Sequence, residues 1–354
     1  MLPNESNPCE RHFQFESLAE PKHSSRVRAL DIDFDGISKS SAEGAEIVRL
    51  ALGSCRFFTL SFPHLTTLSW KDEDTMDASH LFSTSPFTPA LRSLAYVGPW
   101  DGLIEGVNNL TSFELEGDGS DRVHIEDLRS FLLNNSSLEL LGLEYVSLAG
   151  DSIGPPACLS NLKSLSVSLA DSRLSTIIRV PALQHLSSLR IGLDDEECHT
   201  LHATGDGIAF SARCFPGDIA RTLEEFTGYA RPVIRHVHLD DSGAIDCEYN
   251  NLTLVSVLLD AHTLEIGLNY LPDWYDGFLD DLKRLGPQLK TIRFAIPEEL
   301  EPFAGDPEFW GDGNLLDTIE DLVRYRCHQG RPLSAVERMV TSNSERVNRE
   351  QDFV

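Results

Sequence analysis

Apolar residues along the chain follow a short pattern that recurs many times. In the segment Leu138–Leu143, leucines occupy the first, fourth and sixth of six positions, and polar residues precede them. Because the side chains of a β-strand alternate between its two faces, the fourth and sixth positions point to the same side. The pattern therefore predicts a short strand with one buried face. We number its six positions one to six.

The same pattern occurs at ten places in the chain. Its first positions are Val27, Leu65, Leu91, Leu110, Leu138, Leu162, Leu186, Ile234, Ala261 and Leu289. Most steps between them are close to the period of about 20–29 residues that leucine-rich repeats have. Since one such strand cannot bury its apolar face alone, neighbouring copies are expected to stack and share an elongated core. Chance alternation in another kind of sheet protein is the alternative, and ten matches argue against it.

The segments between the strands are expected to return as helices or loops of unequal length. Residues His124–Asn135 predict a helix, and Asp273–Pro287 predict another that ends at its Gly-Pro pair. The apolar side of the first helix would carry Ile125, Leu128, Leu132 and Leu133. We therefore predict an α/β protein and, within that class, a leucine-rich-repeat solenoid, or horseshoe, with a parallel concave sheet and irregular returns.

The step from Leu186 to Ile234 is too long for one repeat. Within it, the segment Cys198–Ala212 has short apolar runs on both sides of Gly205-Asp206-Gly207, which predicts one inserted β-hairpin over about 198–212. A helix is expected to follow near Ile219–Phe226.

The domain boundaries follow from the first and last repeats. The repeat domain is expected to cover 25–333, with C-terminal capping helices over about 315–340. An irregular segment is expected at 1–24, and a disordered tail at 341–354, because both are poor in apolar residues.

The third and fifth positions of each strand are expected to face solvent on the concave side. Small residues there would let a partner approach closely, and charges near the ends would orient it. The alternative is that small residues only permit a tightly curved sheet. The binding candidates are Asp31, Thr67, Ser69, Ser93, Ala95, Ser112, Glu114, Gly142, Ser164, Ser166, Ser188, Arg190, His236, His238, Glu265 and Arg293.

Two loop tryptophans are further candidates. Trp100 and Trp310 lie in Gly-rich segments, and exposed tryptophans are common anchors in protein interfaces. The alternative is that each of them folds back onto the core.

The charge balance limits the kinds of partner. The chain of 354 residues has a formal net charge of −27, from 29 Lys and Arg against 56 Asp and Glu. Such a surface repels phosphate backbones and anionic lipid headgroups. We therefore expect neither nucleic acid nor membrane as a partner and favour a protein with a basic surface. The alternative is that the acidity serves solubility alone.

Cysteine content indicates the compartment. The chain has seven cysteines at wide spacing and no CxxC pair, which is typical of reduced thiols. No apolar run approaches the ~18 residues of a membrane span, and no signal peptide is visible. We therefore expect a cytoplasmic or nuclear protein that is not secreted and is a monomer by itself.

Enzymatic chemistry has weak support in the sequence. Ser152 lies in GDSIG, which matches the nucleophile elbow G-x-S-x-G, but Pro155-Pro156 follows where that elbow needs a helix. His236 and His238 share a strand face and could hold zinc with a third ligand, although Cys198, His199 and His202 do not complete a recognised spacing. A hydrolase or metal-dependent enzyme using Ser152 or His236/His238 is therefore a remote alternative. We expect no catalytic residue, no metal and no cofactor.

Several strings resemble one known family. LRSLAYVGPW, NLTSFELEG and LSNLKSLSVSL resemble the leucine-rich repeats of large fungal F-box-like families. LHATGDGIAFSA and LLDTIEDLVRYRCHQGRPL resemble segments at matching places there, and HSSRVRALDIDF resembles the start of the repeat domain. The resemblance covers roughly residues 23–333, that is the repeat domain, and the F-box itself is not detectable.

The resemblance implies a function. In that family an F-box docks to a Skp-type adaptor of a cullin–RING ubiquitin ligase, and the repeats recruit the substrate. It therefore implies a non-catalytic substrate-recognition solenoid, with the adaptor as a partner if an F-box exists upstream. A ligase-independent scaffold or inhibitor of the same architecture is the alternative among binding proteins.

Overall fold

The computed structural model describes residues 21–33, 62–71, 90–98, 100, 107–117, 122–151, 154–168, 173–193, 199–214, 232–239, 260–267, 286–298 and 315–341. The chain divides into two compact units, unit 1 at Met1–Val180 and unit 2 at Pro181–Val354. The described residues of both units form mainly β-sheet, with mostly parallel strands and few helices. The predicted α/β class is therefore confirmed.

Unit 1 contains ten described strands. They are β1 (Ala29–Asp33), β2 (Thr67–Lys71), β3 (Ser93–Val97), β4 (Ser112–Glu116), β5 (Arg122–His124), β6 (Leu140–Glu144), β7 (Ser147–Ala149), β8 (Ala157–Cys158), β9 (Ser164–Ser168) and β10 (Ile178–Arg179). The main sheet has the order β1-β2-β3-β4-β6-β9, and all of its strands are parallel. Two small parallel pairs, β5 with β7 and β8 with β10, accompany it.

The repeated pattern explains the core of unit 1. In β2, β3, β4, β6 and β9 the fourth and sixth positions are in register, and each of these side chains is at most 3% exposed. They are Leu68, Trp70, Leu94, Tyr96, Phe113, Leu115, Leu141, Leu143, Leu165 and Val167. Burying an aliphatic side chain of this size stabilises the fold by about 1.5–3 kcal/mol.

Three described helices belong to unit 1: α1 (Pro21–Ser24), α2 (Ile125–Asn134) and α3 (Leu174–Ile177). The prediction of α2 is confirmed, but its buried side was predicted wrongly at one position. Phe131 is buried there and Leu133 is 45% exposed. Phe131 completes a stripe of spacing three to four with Ile125, Leu128 and Leu132, whereas Leu133 is turned about 100° from Leu132.

Unit 2 begins with a 3₁₀ helix at Pro181–His185. Its described strands are β11 (Leu186–Leu193), β12 (His199–Gly205), β13 (Ile208–Cys214), β14 (His236–Leu239), β15 (Thr263–Gly267), β16 (Thr291–Pro297) and β17 (Ala335–Thr341), and its described helix is α4 (Leu315–His328). The sheet order is β13-β12-β11-β14-β15-β16-β17. The pairs from β11 through β14, β15 and β16 to β17 are parallel.

The predicted hairpin is observed as β12 and β13. They pair in antiparallel fashion across a turn at Asp206-Gly207, and Gly207 has a φ of +74°. The hairpin also joins the main sheet, because β12 pairs in antiparallel fashion with β11. The register shifts between Leu186 and Ser188, where β11 meets the end of β12. The sequence pattern did not predict this pairing.

The C-terminal region differs from the predicted capping helices. The helix α4 ends at His328, and β17 pairs in parallel with β16 where we predicted helix up to about 340. Gly330 takes a φ of +70°, and Pro332 has no N–H to continue a helix. The chain can therefore turn and add one more strand.

Several predictions lie outside the described residues. These are the helices at Asp273–Pro287, of which only the last two residues are described, and near Ile219–Phe226, together with the tail after Thr341 and residues 1–20. Of the predicted irregular segment 1–24, the described part is the single turn α1.

Candidate interaction surface

The third and fifth positions of unit 1 form two rows on one face of its sheet. The third-position row runs Ala29, Thr67, Ser93, Ser112, Leu140 and Ser164. The fifth-position row runs Asp31, Ser69, Ala95, Glu114, Gly142 and Ser166. All are exposed or half-buried except Gly142. The rows that the sequence predicts are therefore adjacent in space.

Gly142 does not contribute an accessible surface to the fifth-position row. It is buried, and a Cβ there would lie 3.2 Å from Cγ of Glu114. The Glu114 side chain therefore lies over Gly142, and the accessible group at this point is the Glu114 carboxylate. The prediction of Gly142 as an accessible contact is wrong for this reason.

Unit 2 carries the same two rows with more polar side chains. Ser188, His236, Thr263 and Thr291 form the third-position row, and Arg190, His238, Glu265 and Arg293 form the fifth-position row. Each of these residues is exposed or half-buried. Sequence reasoning missed the neighbours that extend the second row. Glu337 of β17 pairs in register with Arg293, and His202 and Ser211 of the hairpin continue it beyond Arg190.

The fifth-position row of unit 2 is largely satisfied by its own contacts. His238 Nδ1 lies 2.9 Å from Glu265 Oε1, and Arg293 Nε donates to Glu337 Oε2 at 2.6 Å. Ser211 Oγ lies 3.1 Å from His202 Nδ1 on the neighbouring strand. Because these groups are partly exposed, each ion pair stabilises the fold by no more than about 1 kcal/mol. The row is a set of paired polar side chains on neighbouring strands.

The second positions, directly before each strand, differ between the units. In unit 1 most of them are engaged. Thr66 Oγ1 donates to the Arg28 carbonyl at 3.0 Å, and Thr111 Oγ1 donates to the Arg92 carbonyl at 3.2 Å. Lys163 Nζ lies 2.7 Å from Glu139 Oε2.

Four second positions are described in the repeats of unit 2. One is Ser187, and the other three are the basic residues Arg235, His262 and Lys290, which backbone hydrogen bonds of 2.8 Å join strand to strand. Arg235 and Lys290 are exposed, and His262 is half-buried. Within the described part of unit 2, no side-chain hydrogen bond or ion pair engages these three residues or the neighbouring His236. The spacing of the repeats could have revealed this basic row, since each member directly precedes a third position.

Trp100 packs against the core of unit 1. Its ring contacts Phe131 at a centroid distance of 5.7 Å and Phe113 at 6.5 Å, both edge to face. The side chain is half-buried, which agrees with the alternative that it folds back. Trp310 lies outside the described residues.

The positions considered for catalysis and metal binding do not form a site among the described residues. Ser152 lies outside them. His238 is engaged with Glu265, and His236 is exposed on the neighbouring third-position row. No group of three or more His, Cys, Asp or Glu side chains in the described segments could hold a metal ion. Among the described helices, none has the length and apolar content needed to span a membrane. Cys158 and Cys327 are free thiols on the surface.

One buried cation supports the end of the unit 2 sheet. Arg326 of α4 is 2% exposed, and its Nη2 donates to the carbonyls of Gly286 at 3.1 Å and Leu289 at 2.9 Å. Burial, and secondarily the charge of Arg331, lowers the pKa of Arg326 from its usual value. The guanidinium thereby ties α4 to the segment that leads into β16.

No protein-family model matches the chain, and a search of curated proteins finds no significant match.

Proposed function

We propose that this protein is a non-catalytic protein-binding module. The proposed architecture is a leucine-rich-repeat solenoid, or horseshoe, whose concave sheet carries the binding surface. The observation that supports it most directly is the register of the repeat strands. In each unit they pair in parallel, with most fourth and sixth positions buried and the third and fifth positions, except Gly142, at the surface.

The exposed rows favour a partner that approaches the sheet closely. In unit 1 the third and fifth positions include Ser93, Ala95, Ser164 and Ser166, whose short side chains leave the backbone accessible to a partner's side chains. Glu114 and Asp31 add negative charge to the same face. Since the whole chain has a formal net charge of −27, we propose a partner with a basic surface for unit 1.

We further propose that the module descends from F-box-like substrate-recognition proteins. If a Skp-type adaptor binds the full-length product, the repeats would present a target to a cullin–RING ubiquitin ligase. If no adaptor binds, the module acts as a ligase-independent scaffold or inhibitor.

The decisive experiment combines affinity purification with surface variants of the full chain. Ala95→Arg and Ser166→Arg each introduce a long, positively charged side chain on the exposed rows of unit 1. Ser160→Arg makes the same chemical change at an exposed turn residue outside those rows. Partners identified by mass spectrometry should be lost with the first two variants and kept with the third. Retention of every partner by all three variants would refute a binding role for this face.

The same purification separates the two modes of action. Recovery of a Skp-type adaptor and a cullin with the wild-type chain supports the ligase role. Recovery of a target without them supports the scaffold or inhibitor.

A further inference from the structure

We propose that a basic edge on unit 2 binds an acidic polypeptide segment. This basic edge consists of Arg235, His236, His262 and Lys290. The inference rests on the proposed function, because it names the partner chemistry for one part of the exposed sheet face.

The basic edge is continuous across three neighbouring strands. The N–H of His262 donates to the Arg235 carbonyl, and the N–H of Lys290 donates to the His262 carbonyl, each at 2.8 Å. Neighbouring strands lie about 4.8 Å apart, so Arg235 and Lys290 are about 10 Å apart along the edge. An extended peptide of three to four residues covers that distance. Two carboxylates on such a peptide could therefore reach both cations together.

Among the described residues, no ion pair compensates the charges of the basic edge. In the adjacent fifth-position row, His238 contacts Glu265 and Arg293 pairs with Glu337. Most of the equivalent positions of unit 1 are engaged as well, as the Lys163–Glu139 ion pair at 2.7 Å shows. Asp260 lies two residues before His262, and no ion pair joins it to the four side chains of the basic edge in the described part of the chain. With respect to the described segments, the cations of the edge are thus available to an external anion.

The net charge of the whole chain disfavours a long polyanion as a partner and favours a short acidic segment. A long polyanion such as nucleic acid would meet the repulsion of a chain with a net charge of −27. A short acidic segment senses mainly the nearest charges, because the Debye length is about 8 Å at physiological ionic strength. The observations therefore favour a stretch of Asp and Glu on a partner protein.

The test uses fluorescein-labelled hexaglutamate and the full chain. Fluorescence anisotropy at about 50 mM salt should show saturable binding, which weakens as salt screens the exposed charges. The double variant Arg235→Glu/Lys290→Glu should raise the Kd about tenfold or more. The matched variant Arg28→Glu/Arg122→Glu, which changes the net charge equally at exposed positions of unit 1, should keep the Kd within about twofold.

Three results would overturn the proposal. They are absence of hexaglutamate binding by the wild type, equal weakening by both double variants, and tighter binding of a single-stranded oligonucleotide through the same two residues. Circular dichroism spectra of all variants exclude unfolding, and Arg235→Gln/Lys290→Gln provides a milder replacement that should weaken binding in the same direction. If Ala95→Arg releases protein partners while hexaglutamate fails to bind, this inference alone fails and the proposed function stands.

Discussion

Asn135 shows how one buried polar side chain supports a repeat strand. It is fully buried at the end of α2, and its Oδ1 accepts the N–H of Leu110 at 3.0 Å. Its Nδ2 donates to the carbonyls of Val107 at 3.1 Å and Phe131 at 2.9 Å. One side chain therefore satisfies three backbone groups where the chain leaves the helix and enters the strand region.

We expect Asn135→Ala to destabilise unit 1 by about 2–3 kcal/mol. The substitution removes three hydrogen bonds and leaves a buried N–H without its acceptor, which costs more than the loss of an exposed contact. Urea unfolding followed by circular dichroism measures the change, with the exposed neighbour in Asn134→Ala as the control. Equal stability of the two variants would contradict this account of Asn135.

At the scale of secondary-structure elements, the turn of the β12–β13 hairpin depends on two glycines with different roles. Gly207 has a φ of +74°, and a Cβ there would meet nothing within 4 Å. At Gly205 a Cβ would lie 2.0 Å from the His185 carbonyl oxygen, which belongs to the backbone. Gly207 is therefore needed for its positive φ, whereas Gly205 is needed because the His185 backbone approaches it closely.

The two alanine variants should therefore differ. Gly207→Ala should cost about 1 kcal/mol, the usual penalty of a left-handed alanine. Gly205→Ala should cost about 3 kcal/mol or more, because the start of β11 must move. Thermal unfolding of both variants tests the difference. A larger loss for Gly207→Ala would show that conformation, not contact, controls this turn.

The strands of the fold were the easiest elements to predict from sequence. Leucines at fixed spacing need no information from distant residues, and the glycines around Asp206 marked the hairpin. The strand β17 was missed because Arg338 stands where the pattern requires an apolar sixth residue. Its conformation depends on pairing with β16, which is a tertiary effect. The contact of Glu337 with Arg293 was missed for the same reason.

For the candidate surface, the sequence predicted which residues form the exposed rows, but it did not predict which charged side chains have a partner. Third and fifth positions follow from strand alternation alone. Which cations remain uncompensated depends on side-chain partners such as Glu139 for Lys163, and these partners can be identified only once neighbouring strands are in place.

At the scale of the whole molecule, the large negative charge should make stability depend on salt. A net charge of −27 opposes compaction through self-repulsion, which salt screens. We expect the melting temperature to rise by several degrees between 20 and ~500 mM NaCl. Differential scanning calorimetry measures it, and KCl at equal ionic strength controls for ion-specific effects. A falling melting temperature would mean that ion pairs such as Arg293–Glu337 outweigh the repulsion.

The strands of the main sheet of unit 1 follow one another in the order in which the chain makes them, each hydrogen-bonded to the one before. A single inserted codon inside such a strand would exchange its inner and outer side chains. Gain or loss of one complete repeat would leave every remaining neighbour unchanged. Relatives of this protein in other genomes should consequently differ in length by whole repeats, through duplication or deletion of gene segments, more often than by one or two residues within a strand.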